Sequence, residues 1–234
     1  MSLKKQFPQI ITSCNLLCGC VAAVFALQGN YPLALTFIVS GAVFDFFDGF
    51  AARLLGVAGP LGRELDSLAD DITFGFAPAA VVASLLGKAT FPGLPPAMAA
   101  YMPWAGFLIA AFSALRLAKF NLDERQTMGF IGLPTPANAL FWASLALGLH
   151  DDIAHIACGG WLVLAGIVLS CWLLVSEIPM FALKFKHFGW RDNRLRYVFI
   201  FLAGFLVGAF GWRGLPFVVV LYVLLSLAAN ARKH

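Results

Sequence analysis

The sequence predicts an all-α protein, a polytopic bundle of about eight membrane-spanning helices. Hydrophobic residues make up 61% of the 234-residue chain and charged residues 12%, whereas soluble domains carry about 25% charged residues. The mean hydropathy is +0.85. Apolar runs of about 20 residues, the length that crosses a bilayer, follow one another along the chain. This composition excludes a second soluble domain, so we expect one membrane domain over residues 1–234 and no nucleic-acid partner.

Glycine and proline divide the apolar runs into candidate spans. The turn before the third span covers Gly56 to Gly62, and the turn before the last span covers Gly211 to Pro216. The spans predicted in this way are residues 9–28, 32–54, 66–87, 97–118, 134–149, 156–182, 195–211 and 214–230.

The basic residues predict the orientation of these spans. With the N-terminus inside and eight alternating spans, only Lys88 and Arg213 of the 16 lysines and arginines lie outside, which leaves 14 inside. Cytoplasmic loops are rich in Lys and Arg. We therefore expect both termini on the cytoplasmic side of an inner, cytoplasmic membrane, with membrane lipids around the bundle.

Acidic residues near the predicted cytoplasmic ends of the second and third spans predict a metal site. Asp45 and Asp48 are three residues apart, and Asp66 and Asp70 are four apart, so each pair projects from one helical face. Carboxylates are costly in hydrocarbon and usually mark a functional site. Their oxygens suit hard cations, and paired metals are common in displacement at phosphorus. The sequence therefore predicts two divalent cations, Mg²⁺ or Mn²⁺.

The residues between these pairs are typical of a phosphate site. Gly49 carries no side chain, so a substrate group has room to lie against the helix. Arg53 lies one turn further on and has the planar fork that binds phosphate. Gly62 belongs to the predicted turn that joins the two acidic helices. Together these features indicate a metal-assisted phosphate site that opens to the cytoplasm.

This stretch resembles the signature of the CDP-alcohol phosphotransferase family, with every fixed position filled. The resemblance implies transfer of a phosphatidyl-type group from a CDP-linked lipid to an alcohol, with release of CMP, by a homodimer. It implies that Asp70 is both a metal ligand and the base that deprotonates the acceptor hydroxyl. It also implies three further metal ligands and a CDP pocket. The residues that carry it are Asp45, Asp48 and Asp66 for the metals and Gly49, Ala52, Arg53 and Gly62 for the CDP-lipid.

Flanking segments resemble the phosphatidylserine synthase branch of that family. They are the run from Arg116 through Lys119 to Asn121, the run Gly132-Leu133-Pro134-Thr135-Pro136, and Thr12 with Asn15 in the first span. The branch implies CDP-diacylglycerol and L-serine as substrates. By the resemblance, Thr12 and Asn15 serve the CDP-lipid, and the other three residues, Arg116, Lys119 and Asn121, serve serine. Lys119 stands where the branch often has arginine, which keeps the charge but loses the fork.

Other interpretations of these residues stay open at this point. The runner-up keeps the family reaction and changes the acceptor alcohol to glycerol 3-phosphate, an inositol phosphate or choline. Arg116 and Lys119 are also typical of plain cytoplasmic anchors. Glu177 belongs to the sixth predicted span, close to the interface because Pro179 and Lys184 follow it. A divalent-cation transporter would use the same carboxylates, although it would not need the spacing of Gly49 and Arg53.

Overall fold

The computed structural model describes residues 3–123, 130–181 and 189–231, and most of these residues are helical. Two strands of two residues each, β1 and β2, pair antiparallel. The elements in chain order are α1 (Leu3–Leu27), α2 (Tyr31–Leu54), α3 (Pro60–Asp70), α4 (Ala77–Leu86), α5 (Pro96–Ala99), α6 (Leu108–Leu122), β1 (Phe130–Ile131), α7 (Thr135–Leu149), α8 (Gly159–Val175), β2 (Pro179–Met180), α9 (Trp190–Phe210) and α10 (Leu215–Ala231).

Within the described ranges, five helical stretches are long and apolar enough to cross a membrane, which identifies an integral membrane protein. They are Gln6–Leu27, Tyr31–Leu54, Pro60–Leu86, Pro96–Leu122 and Asn193–Ala231. The shorter helix α8 is also apolar. The count of eight spans and the cytoplasmic placement of both termini stay predictions.

The last of these stretches is a helical hairpin. The rings of Phe199 and Tyr222 lie 5.8 Å apart, although a straight helix would separate them by about 35 Å. Gly211 has a positive φ of 58°, a conformation that glycine adopts readily. The chain reverses there through the 3₁₀ turn Gly211–Gly214. This matches the two separate helices that the sequence predicts over residues 195–230.

Two of the helices differ from the prediction at their ends. The third predicted span begins six residues early, at Pro60, because proline fits the first turn of a helix. Gly62 therefore lies inside α3 and not in a turn. The fourth span begins near Pro96 as predicted but is interrupted by the 3₁₀ turn Met102–Phe107.

The sixth span is the clearest departure. Its helix ends at Val175 and not at residue 182. The chain then takes an extended course and pairs with β1, where Gly132 donates its N–H to the carbonyl of Ile178 at 2.9 Å. Leu133 donates in the same way to the carbonyl of Leu173 at 2.9 Å. These partners satisfy backbone groups after the helix ends, so Glu177 lies in a loop and not in a helix.

A π-helical turn joins α3 to α4. It covers Asp71–Phe76, directly after Asp70, and the N–H of Ala77 donates to the carbonyl of Ile72 five residues back. Pro78 follows and has no N–H to offer the carbonyl of Phe74. Such turns are frequent at functional sites, and this one lies against the acidic residues.

Helices α1 and α2 approach the π-helical turn very closely through two glycines. A Cβ at Gly19 would lie 2.5 Å from the Thr73 hydroxyl oxygen and 2.7 Å from its Cα, and a Cβ at Gly41 would lie 2.5 Å from Thr73 Cγ2. Thr73 donates its hydroxyl to the carbonyl of Asn15 at 2.9 Å. This hydrogen bond fixes the position of Asn15 relative to the π-helical turn that follows α3.

We expect Gly19→Ala to destabilise the protein by about 1–3 kcal/mol, the usual cost of overpacking. The new methyl group meets the backbone of Thr73, so the helices must separate. The thermal midpoint in detergent should fall. Gly204→Ala is the matched control, since a Cβ there meets no described atom within 4 Å; equal midpoints for the two variants would contradict the close approach.

Candidate active site

Three carboxylates from two helices meet near the ends of α2 and α3. One oxygen from each of Asp45, Asp48 and Asp66 lies within 4.8 Å of the others. Asp48 is 4% exposed, and the other two side chains are half-buried. Their spacing places each carboxylate on the helix face that looks toward the partner helix. The structure therefore brings together these three predicted metal ligands.

Asp70 lies one turn beyond Asp66 and extends the cluster. Its carboxylate is close to that of Asp45. It accepts a hydrogen bond of 3.1 Å from the side-chain amide of Asn15, which is fully buried in α1. Because Thr73 holds the backbone of Asn15, three segments of the chain fix the position of this carboxylate.

The cluster fits a divalent cation on its own chemistry. Asp48 Oδ2 and Asp66 Oδ1 are buried and have no hydrogen-bond partner among the described residues. Buried carboxylate oxygens without a partner carry a large desolvation cost unless a cation compensates them. Oxygen-only ligand sets are typical of hard cations such as Mg²⁺ and Mn²⁺. The residues present thus meet the requirements of such a site.

The other predicted substrate residues of α1 and α2 surround this cluster. The Thr12 hydroxyl lies beside Asp48 and donates to the carbonyl of Pro8 at 3.1 Å. The Arg53 guanidinium reaches back along α2, since a Cβ at Gly49 would lie 3.4 Å from its Nη1. Ala52 is half-buried beside them. Because Gly49 has no side chain, the helix surface next to the Arg53 guanidinium stays open.

Gly62 opens the site on the α3 side. A Cβ at this position would meet no described atom within 4 Å. The glycine thus borders free space at the start of α3.

Arg116 of α6 is a buried basic residue close to Asp70. It is 7% exposed and close enough for electrostatic attraction to Asp70. Its Nη1 donates to the Thr135 hydroxyl at 3.4 Å, and the guanidinium lies 5.4 Å from the centre of the Phe120 ring. Its Nε has no partner among the described residues. Arg116 is therefore a buried cation with donor capacity left over.

A cavity of about 360 Å³ opens beside Arg116. This volume is within the range of small-molecule sites, roughly 300–1,000 Å³. Lys119 lines it too, but Asn121 does not: its amide donates to the Ser67 hydroxyl at 2.8 Å and so ties α6 to α3. The lining residues are Arg116, Lys119, Leu122, Asp123, Ile131, Leu174, Val175, Ser176 and Glu177.

The sequence did not reveal Ser67, Thr135 or Glu177 as parts of this region. Thr135 follows Pro134 at the start of α7, within a segment that the resemblance did single out, but its contact with Arg116 is between distant parts of the chain. Ser67 follows Asp66 directly and is the partner of Asn121. No local pattern signals such contacts, because they depend on how the helices pack.

An apolar groove runs along the other side of α2. It has a volume of about 380 Å³, and its residues on α2 include Phe44 and Phe47, which directly precede Asp45 and Asp48 in the sequence but lie on a different helix face. The described residues that line it are all apolar, namely Phe7, Ile11, Phe44, Phe47, Phe50, Ala51, Leu54 and Leu55.

Fold and site together define an integral membrane protein with a carboxylate cluster suited to a divalent cation. The family can be identified as well. The chain belongs to the CDP-alcohol phosphatidyltransferase family, whose model matches residues 5–172. The matched region contains the four carboxylates, Arg53 and Arg116, so the family resemblance seen in the sequence is confirmed.

Curated relatives support the same branch. The chain is 36% identical over 186 residues to the CDP-diacylglycerol–serine O-phosphatidyltransferase of Bacillus subtilis, covering 77% of this chain and 90% of the relative. It is 32% identical over 201 residues to the enzyme of the same name from Helicobacter pylori, covering 84% and 80%. The archaetidylserine synthase of Methanothermobacter thermautotrophicus is 28% identical over 151 residues, covering 63% and 60%.

Proposed function

We propose that this protein transfers a phosphatidyl group from CDP-diacylglycerol to the hydroxyl of L-serine, giving phosphatidylserine and CMP. The observation that carries the proposal is that Asp70 is close both to the carboxylate cluster, through Asp45, and to the buried cation of Arg116. The names of the relatives support serine as the acceptor, because serine is common to them while the lipid part differs.

In this proposal each group has a separate task. Asp45, Asp48, Asp66 and Asp70 hold divalent cations, Mg²⁺ or Mn²⁺, which when bound neutralise the pyrophosphate and stabilise the charge of the leaving CMP. Arg53 binds phosphate, and Gly49 and Ala52 leave room for the nucleotide. Thr12 and Asn15 serve the CDP-lipid site from α1, where they lie beside Asp48 and Asp70.

Arg116 and Lys119 attract the serine carboxylate. Asn121 instead connects α6 to α3 through its hydrogen bond to Ser67.

The reaction is a direct displacement. Asp70 takes the proton from the serine hydroxyl, whose oxygen attacks the phosphorus that carries the diacylglycerol. The bond from this phosphorus to the CMP oxygen breaks, and CMP leaves with the electron pair. A positioned base contributes about 10²–10⁴-fold to such a step. Inversion of configuration at phosphorus is the expected stereochemical result, and retention would contradict a single displacement.

The apolar groove suits the lipid part of the substrate. The groove walls are aromatic and aliphatic side chains, which offer an acyl chain van der Waals contacts without exposing polar groups to it. We place a substrate acyl chain there. In keeping with the distribution of basic residues, the protein lies in the inner membrane and its site faces the cytoplasm. The family resemblance adds that the enzyme is a homodimer.

The acceptor is tested by CMP release from purified protein with CDP-diacylglycerol and Mg²⁺ or Mn²⁺. We expect release with L-serine and at least about 10-fold less with glycerol 3-phosphate, an inositol phosphate or choline at equal concentration. The lipid product should be identified by mass spectrometry. Faster release with one of the other alcohols would keep the family reaction but contradict serine as the acceptor.

A further inference from the structure

The cavity beside Arg116 carries charges of both signs. Arg116 and Lys119 of α6 line it, and so does Glu177. Asp123 also lines it, and this residue already has an interaction within the protein. The cavity therefore differs from a simple anion site, which would have basic side chains alone.

The C-terminal end of α8, which lies next to Glu177 in the sequence, adds to the negative character of the cavity. Helix α8 has 17 residues and ends at Val175, and both Leu174 and Val175 line the cavity. Because the C-terminus of a helix carries a partial negative charge, cations are stabilised near it. The chain leaves the helix here to pair with β1, and Ser176 and Glu177 line the cavity on the way.

A free amino acid is a zwitterion, and its two charges need opposite partners. Arg116 and Lys119 have donors only and serve the carboxylate. The ammonium group has three donors and needs acceptors, which a carboxylate, a hydroxyl and carbonyl groups at a helix end supply. Glu177, Ser176 and the end of α8 offer these groups in the same cavity.

We propose that Glu177, assisted by Ser176 and the C-terminus of α8, binds the ammonium group of the acceptor and so selects an amino acid over other alcohols. The proposal rests on the proposed function, since it places L-serine in this cavity. Arg116 connects the two sites, because it lines the cavity and lies beside Asp70. Serine held by both charges would then present its hydroxyl toward the base.

The test is the steady-state kinetics of Glu177→Gln, which keeps the size of the side chain and removes its charge. We expect the KM for L-serine to rise about 10- to 100-fold, the loss typical of a hydrogen bond between charged groups. The kcat and the KM for CDP-diacylglycerol should change less than about 3-fold, within the range of an unrelated surface substitution. Glu177→Asp should recover part of the affinity, because it restores the charge.

Two inhibitors separate the ammonium partner from the carboxylate partner. Ethanolamine has the ammonium without the carboxylate, and 3-hydroxypropionate has the reverse. Glu177→Gln should weaken inhibition by ethanolamine and leave inhibition by 3-hydroxypropionate unchanged. The opposite pattern, or equal weakening of both, would overturn the assignment.

Asp152→Asn is the control for loss of one negative charge. Asp152 is exposed. It lies just after the C-terminus of α7, which is about 22 Å along the helix from Thr135 at the N-terminus. This variant should keep the KM for serine. If the wild-type protein is active and Glu177→Gln leaves the KM for L-serine unchanged, the role of Glu177 is overturned while the proposed reaction stands.

Equilibrium binding of labelled L-serine by the full-length protein keeps the two proposals apart. If wild-type protein binds serine with Glu177-dependent affinity but releases no CMP, the proposed reaction fails and the cavity assignment stands. If the wild-type protein neither binds nor uses serine, both fail.

Discussion

Replacing Asp70 with asparagine is expected to reduce CMP release from CDP-diacylglycerol and serine by at least about 10³-fold, since the variant loses a general base and a negative metal ligand together. The substitution preserves shape. The amide oxygen of asparagine still accepts the hydrogen bond that Asn15 donates at 3.1 Å. Loss of rate would therefore report lost chemistry and not lost packing. The measurement is single-turnover CMP release at saturating serine, with the thermal midpoint of each protein alongside.

Asp71→Asn is the matched control for this substitution. Asp71 is the next residue and is half-buried, but its Oδ1 lies against Gly75 of the π-helical turn and is not part of the cluster of Asp45, Asp48 and Asp66. It points about 100° away from Asp70 around the helix. We expect its rate to stay within about 3-fold of wild type, as for other substitutions away from a site. Equal losses in the two variants, or an Asp70→Asn protein as fast as wild type, would contradict the role of Asp70 as base.

The part of the site that could be predicted from the sequence is the part that helical periodicity controls. The spacings of Asp45 with Asp48 and of Asp66 with Asp70 place each pair on one face of its helix, whatever the rest of the fold does. The cost of carboxylates in hydrocarbon then predicts that the two faces meet. The structure brings Asp45, Asp48 and Asp66 together as expected.

The contacts that hold the carboxylates in place could not be predicted in this way. Asn15 reaches Asp70 across 55 residues of sequence, and Thr73 reaches the backbone of Asn15 across 58. Both depend on the close approach of α1 to the π-helical turn, which two glycines permit. Glycines are common in membrane helices for general packing reasons, so their presence did not indicate which helices would touch.

Hydropathy also could not predict where α8 ends. Residues 176–182 are apolar enough to continue a span, apart from Glu177 and Pro179. The helix stops because backbone groups near its end find partners in the segment after α6, at Gly132 and Leu133. Hydropathy measures the transfer of side chains and does not include such pairing. As a result, Glu177, which the sequence assigned to a span, lines the same cavity as Arg116 and Lys119.

Removal of divalent cations is expected to abolish CMP release, and Asp66→Asn should weaken cation binding by at least about 10²-fold. Asp66 Oδ1 is buried without a partner among the described residues, and one carboxylate oxygen of Asp66 lies within 4.8 Å of those of Asp45 and Asp48. An amide in its place provides one neutral oxygen and removes one charge. Because oxygen ligands bind hard cations through charge, affinity should fall more than folding stability.

Mn²⁺ binding followed by electron paramagnetic resonance gives the affinity without turnover, and CMP release against Mn²⁺ concentration gives the activity. If Asp66 is a ligand, both curves for Asp66→Asn shift to higher Mn²⁺, and added metal restores part of the rate. Glu64→Gln removes a charge from an exposed position in the same helix, so its curves should match those of the wild type. Full activity after chelation, or Mn²⁺ affinity unchanged by Asp66→Asn, would contradict the metal site, because a cluster of buried carboxylates would then have to be stabilised by protons alone.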